Sequence, residues 1–265
     1  MCFYNTVTHF LAMIVACTAL PHVASAIVFD FDDVDFTDGL LDQSFDIDPD
    51  NEGDDIRISF TKDNDYFQEY DGQQSPYTSG LFGDGTAPSE ESLALIVNFG
   101  EETLRVRVRV DFLYESGVSA VQLPIYDIDV GSDAGGGAFT FTDQVSQIRS
   151  RMVAGDWTYV DASTIALDAS TNAYSEANNS IYGIAGSDNN AAEGNILVEF
   201  GDAEMKRLTF LYSNFTATTP DDPALQGIGI GDIEYTPILV PEYNQAALCL
   251  GLVALGYVST RRRAA

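Results

Sequence analysis

Between Leu104 and Phe112 every second residue is apolar: Leu104, Val106, Val108, Val110 and Phe112 alternate with Arg105, Arg107, Arg109 and Asp111. A period of two sends the two sets to opposite sides of an extended chain, so this segment is a strand with one buried and one wet face. Similar short runs recur from Ile27 to Ile238, each bounded by Gly, Asp or Asn, and no stretch sustains a helical period. They predict strands at 27–31, 56–61, 93–99, 104–112, 118–129, 138–142, 145–152, 163–167, 195–200, 207–212 and 227–236. In the last run Ile228 and Ile230 have one parity and Ile233 and Tyr235 the other, which predicts a bulge near Gly231 and Asp232. Segments 131–137 and 170–195, rich in Gly, Ser, Asn and Ala, read as long surface loops. Short strands joined by turns, with no repeat of fixed period, predict an all-β chain: a single antiparallel β-sandwich of jelly-roll type.

Charge narrows the partners. The 265 residues carry 12 Lys+Arg and 41 Asp+Glu, a net charge of -29. All but Glu242 and the arginine triplet 261–263 of these lie between residues 27 and 240. Such a surface repels phosphate backbones and anionic lipid, which argues against nucleic acid and membrane-surface binding. With 45% hydrophobic and 11% aromatic residues the chain still has enough apolar matter for a core. Cys2, Cys17 and Cys249, with His9 and His22, all fall outside residues 27–240. The body therefore holds no disulfide, no thiol or imidazole nucleophile, and no Cys/His zinc site.

The two ends read as targeting segments. An apolar run over residues 10–20 precedes Pro21 and the small-x-small site Ala24-Ser25-Ala26, so residues 1–26 form a signal peptide cut after Ala26. The alternative is a lipoprotein box ending at Cys17. At the other end Val240-Pro241-Glu242 precedes an apolar stretch, 246–258, and the triplet Arg261, Arg262 and Arg263. A helix there spans about 20 Å, and extending it over 243–260 nearly reaches a bilayer core of about 30 Å. The arginines would stay cytoplasmic, leaving the body outside.

That tail, residues 240–265, resembles the PEP-CTERM sorting signal, although Tyr243 stands where a second proline is expected. The resemblance implies an exosortase-like sorting enzyme as partner and transient insertion of the tail in an inner membrane. It also implies export to the cell surface or extracellular matrix of a Gram-negative-type bacterium. A plain tail anchor is the alternative. Residues 27–239, the expected domain, resemble the β-sandwich domains that precede such tails.

Several clusters could carry chemistry. Residues 46–55 hold six carboxylates, and Asp48, Asp50, Glu52 and Gly53 match the front of a calcium loop. The twelfth position is Ser59, so an EF-hand is not supported, and the choice is between a looser Ca2+ site and a solvated acidic turn. Jelly-roll carbohydrate-binding modules, which the body resembles in outline, often hold Ca2+ between first and last strands; that resemblance points to Asp30, Asp32 and Asp232. Asp127, Asp129 and Asp133 with Asp143 read as loop acidity, with a cation as the alternative. The ladder Arg105, Arg107 and Arg109 either grips an anionic polysaccharide or pairs with cross-strand carboxylates. Tyr66, Tyr70 and Tyr77 either stack on sugars or cover the core. The paired-carboxylate motif E-x-D-x-x-E of sandwich-fold glucanases is missed at residues 69–74, where Gln74 replaces the second glutamate. The chain is thus expected to be a non-enzymatic surface or exopolysaccharide-associated protein, calcium-stabilised. A carbohydrate-binding module is the second reading and a glycoside hydrolase the third.

Overall fold

The computed structural model describes residues 25–49, 51–61, 66–85, 91–135 and 138–238; of the expected signal peptide residues 1–24, and with them Asp50 and the expected sorting tail 240–265, lie outside them. In chain order the strands are β1 (Ile27–Phe29), β2 (Asp42–Phe45), β3 (Ile56–Thr61), β4 (Glu69–Tyr70), β5 (Gln73–Gln74), β6 (Tyr77–Ser79) and β7 (Ser92–Val97). Then come β8 (Arg105–Phe112), β9 (Val118–Tyr126), β10 (Asp133–Gly135), β11 (Ala138–Phe139), β12 (Asp143–Met152), β13 (Trp157–Tyr159) and β14 (Ile165–Leu167). The last are β15 (Asn172–Ser175), β16 (Ser180–Gly183), β17 (Ile196–Glu199), β18 (Met205–Asn214), β19 (Gln226–Ile230) and β20 (Ile233–Pro237). A single 3-10 turn, Ala162–Thr164, is the one helical element among the described residues, and none of them forms a helix long and apolar enough to cross a membrane.

The strand pairings among the described residues are antiparallel and resolve into two layers. In the front sheet the order is β15-β16-β12-β18-β8-β3-β2, with β13 following β16 along the same edge of β12. In the back sheet β9 is central: β19 and β20 line one edge in succession and β17 the other. Beyond β19 lie β7 and β6, beyond β20 lies β1, and beyond β17 lies β14. One bridge, Met205 to Val118, joins the layers. This is the β-sandwich the strand pattern predicts.

The alternation in β8 works as read: Val106, Val108 and Val110 are buried, and they meet Leu208, Phe210 and Tyr212 of β18 in the core. From the back sheet come Leu93, Leu95 and Val97 of β7, Leu123 and Ile125 of β9, and Ile228 and Ile230 of β19. Each such side chain contributes about 1.5–3 kcal/mol when fully buried.

The bulge at Gly231 and Asp232 is present in effect. Ile230 pairs Ile125 and Glu234 pairs Gln122, so one extra residue separates β19 from β20 along β9. It brings Ile228, Ile230, Ile233 and Tyr235 all into the core despite their opposite parity. The outer face of β19 is glycine because Phe82 lies against it: a Cβ on Gly229 would sit 2.6 Å from Phe82 Cβ. The predicted loop 170–195 is instead partly a hairpin, β15 with β16, which extends the front sheet. Backbone pairing carries its small polar residues, while Ile181 of β16 anchors the hairpin in the core. Segment 131–137 likewise contributes β10, paired to β11.

Candidate functional site

The outer face of the front sheet collects seven arginines: Arg57 from β3, Arg105, Arg107 and Arg109 from β8, Arg207 from β18, and Arg149 and Arg151 from β12. Two rows cross the strands. Arg57, Asp111, Arg207, Arg151 and Trp157 are successive neighbours, as are Ser59, Arg109, Thr209, Arg149 and Tyr159. At about 4.8 Å between strands, each row spans roughly 19 Å.

A bulge in β12 makes this face. Ser146 pairs Leu211 while Arg149 pairs Thr209, so β12 spends three residues where β18 spends two. Gln147, with φ of 50°, absorbs the extra step. Paired in simple alternation, Gln147 would face the core, Ile148 solvent and Arg149 the core; with the bulge Ile148 is buried and both Arg149 and Arg151 turn outward.

Three of the seven arginines are paired on the face itself, with two carboxylates between them. Arg57 pairs with Asp42 and holds that carboxyl below the usual carboxylate range. Asp111 sits between Arg109, at 2.5 Å, and Arg207. Among the described residues no carboxylate ion pair reaches Arg105, Arg107, Arg149 or Arg151. Burial, followed by the charges of Arg149 and Arg105, lowers the pKa of Arg107 from its ordinary value. Arg149 donates to Thr209 Oγ1 at 3.4 Å, and its guanidinium lies 4.5 Å from the centre of the Trp157 ring. Trp157 and Tyr159, two residues apart on β13, are 40% and 52% exposed. The arginine ladder is visible in the sequence of β8; its continuation through Arg149 and Arg151 is not. The signal that could have shown it is the three-residue spacing of Val145 and Ile148, which breaks simple alternation.

Of the sugar-stacking tyrosines, Tyr66 and Tyr77 are buried, Tyr66 against Phe99 in the main core and Tyr77 with Phe82 and Ile96 under the back sheet. Only Tyr70 presents its ring to solvent. The first and last strands do meet at Asp232: Phe31 N donates to Asp232 Oδ1 at 3.0 Å. In the same segment Asp32 N donates to Asp30 Oδ1 at 2.8 Å and Glu91 N to Asp32 Oδ1 at 3.3 Å. The 46–55 loop is organised by Asp55, which accepts from Ile47 N, Asp48 N and Asn51 Nδ2 at 2.6–2.7 Å. Tyr114 Oη donates to Asp48 Oδ2 at 3.3 Å, and Glu52 is exposed. No group of three or more His, Cys, Asp or Glu among the described residues is placed to hold a metal ion, and Asp50 lies outside those residues.

Asp127, Asp129 and Asp143 are not loop acidity, for all three are buried. Asp143, fully enclosed, accepts from Tyr212 Oη at 2.6 Å and Gln226 Nε2 at 2.9 Å, tying the front sheet to β19. Its Oδ2 has no partner among the described residues. Ser187 serves the other two, its N–H donating to Asp129 Oδ2 at 2.8 Å and its hydroxyl to Asp127 Oδ1 at 3.2 Å. Burial, then the charge of Asp129, raises Asp127 to about 7; burial raises Asp129 to about 6 and Asp143 well above the ordinary range. Asp133 is exposed and apart from them, in β10.

No protein-family model matches the chain, and no curated protein does. Among solved structures, a mutant of a family 29 carbohydrate-binding module is similar with 14% identity and a TM-score of 0.25, over 70% of this chain and 99% of the module. A family 28 module, described as specific for non-crystalline cellulose, gives 8% identity and a TM-score of 0.25, over 57% and 74%. The enzymatically active domain of tailspike protein 4 from bacteriophage CBA120 gives 10% and 0.30, over 80% of this chain and 19% of that one. Likeness at this level carries no functional argument, which rests on the chain's own geometry.

Proposed function

We propose that the chain is an exported, non-enzymatic protein of the cell surface or extracellular matrix whose β-sandwich binds polysaccharide on the outer face of its front sheet. The observation that supports this is the pair Trp157 and Tyr159, exposed side by side on a rigid strand at the end of that face. An aromatic ring laid open beside hydrogen-bonding side chains suits the apolar face and hydroxyl rim of a sugar. Export rests on the signal peptide and the tail that resembles a PEP-CTERM signal, with an exosortase-like enzyme as the processing partner.

Affinity electrophoresis of the full chain through gels cast with a panel of neutral and acidic polysaccharides tests the reading. Retardation by at least one polymer, abolished in the Trp157→Ala/Tyr159→Ala double variant, is the expected outcome. Retardation that survives the double variant, or none with any polymer, rules the face out.

A further inference from the structure

We infer that the ligand of this face is an acidic polysaccharide, one carrying a carboxylate on repeating sugar units, gripped by Arg105, Arg107 and Arg149 beside the Trp157 ring. The inference rests on the polysaccharide reading above and adds the chemical class. Its first support is segregation: the body has nine basic residues, and seven of them share one sheet face while the carboxylates are spread elsewhere. Pairing alone would not produce this, because among the described residues only Asp42 and Asp111 form ion pairs with them.

The second support is a carboxylate of the chain itself, held on the same face. Asp111 is a carboxylate bridging two guanidiniums, Arg109 from its own strand and Arg207 from the next. Arg107 stands in the row beside that of Arg109 and Arg149 on the same face, where burial, then the charges of Arg149 and Arg105, disfavours its charged form. Like charges held together on a rigid sheet cost stability unless an anion joins them, and a guanidinium fork matches a carboxylate. The cation–π contact of Arg149 with Trp157 places the charged grip and the stacking surface within one sugar's reach of each other.

Charge density separates this ligand from nucleic acid. Duplex DNA carries a charge about every 1.7 Å of axis, and the acidic remainder of the body opposes such a rod. A polymer with one carboxylate per sugar is repelled far less, and beyond about 8 Å physiological salt screens the rest of the surface. A second copy of this chain, acidic overall, is the competing partner; mutual repulsion between two such bodies disfavours it.

The experiment compares the full chain's affinity for polygalacturonate with that for the same polymer after its carboxyl groups are reduced to alcohols, at about 150 mM NaCl, where the Debye length is short. The expected result is at least tenfold tighter binding to the acidic form. Arg107→Gln/Arg149→Gln should lose that margin with an unchanged or raised melting temperature, which shows that the variant folds. Equal affinity for both forms overturns the acidic class while leaving the polysaccharide reading intact. Failure to bind these or any other polysaccharide overturns both. Salt-sensitive self-association without polymer, lost in the double glutamine variant, assigns the face to a second copy and overturns the proposal.

Discussion

Asp143 shows how one residue can join two layers. Its Oδ1 accepts from Tyr212 on β18 and Gln226 on β19, so the bond network crosses the core of the sandwich. Full burial next to Asp127 and Asp129 favours the neutral acid. A side-chain amide at this position would keep both hydrogen bonds and carry no charge, so Asp143→Asn should change stability by under about 1 kcal/mol near neutral pH. Asp143→Ala strands the Tyr212 hydroxyl and the Gln226 amide and should cost about 2–4 kcal/mol, read from urea unfolding. The same neighbourhood sets a pH dependence. A carboxyl raised in the folded state binds its proton more tightly there than in the unfolded chain, so stability is full below about pH 4 for this contribution and falls as pH climbs through the folded value. With Asp129 at about 6 and Asp127 at about 7, the decline should run from about pH 4 to about pH 7. At roughly 1.4 kcal/mol per unit, Asp127 contributes at most about 4 kcal/mol of it. Melting curves across that range check the sign: wild type should lose stability with rising pH, and Asp127→Asn should flatten the slope. A slope that Asp127→Asn leaves unchanged would assign the effect to the general acidity of the surface.

At the scale of the element, strands with clean alternation are legible in the sequence and irregular ones are not. Strand β3 falls on the predicted residues and β8 within one of them, because each has a core face of Ile, Val and Phe set against charge or hydroxyl. The hairpin of β15 and β16 is hidden by its composition, since Asn172, Ser175 and Ser180 read as turn formers until backbone pairing to β12 is seen. The burial of Asp127 and Asp129 escapes the sequence for a related reason: Asp127 has φ of 62°, which ends β9 and sends the chain inward beneath the loop that carries Ser187. The arginine face is half legible, its β8 rungs plain and its β12 rungs concealed by the bulge at Gln147. That bulge makes a prediction. A left-handed φ costs a non-glycine residue about 1–2 kcal/mol, partly offset by the extra freedom glycine brings to the unfolded chain. Gln147→Gly should therefore stabilise by up to about 1 kcal/mol in thermal melts. Deleting Gln147 removes the extra residue, so simple alternation after Ser146 keeps Ile148 inward and Arg149 outward, and the variant should fold and still bind acidic polymer.

For the whole molecule, both expected processing points fall at the margins of the sandwich. Ser25 and Ala26 are exposed, and β1 begins at Ile27, where Ile27 pairs Tyr235 of β20. At the other end β20 closes at Pro237, and Ile238 N donates to Gly117 O. A cut after Ala26 and another near Glu242 would thus remove no paired residue of the described fold, and the two termini would be left beside each other's strands. The processed chain should begin at Ile27 and contain no peptide beyond about Glu242 when surface material from the host is analysed by mass spectrometry. Its melting temperature should match that of a recombinant chain of residues 27–242 within about 2 °C, a shift that corresponds to no more than about 1 kcal/mol. Deleting residues 246–265 should send the protein to the medium instead of the surface, because the body has no other segment that resembles an anchor. Recovery of intact Arg261, Arg262 and Arg263 on mature surface protein would refute sorting by cleavage and assign the tail to a permanent anchor.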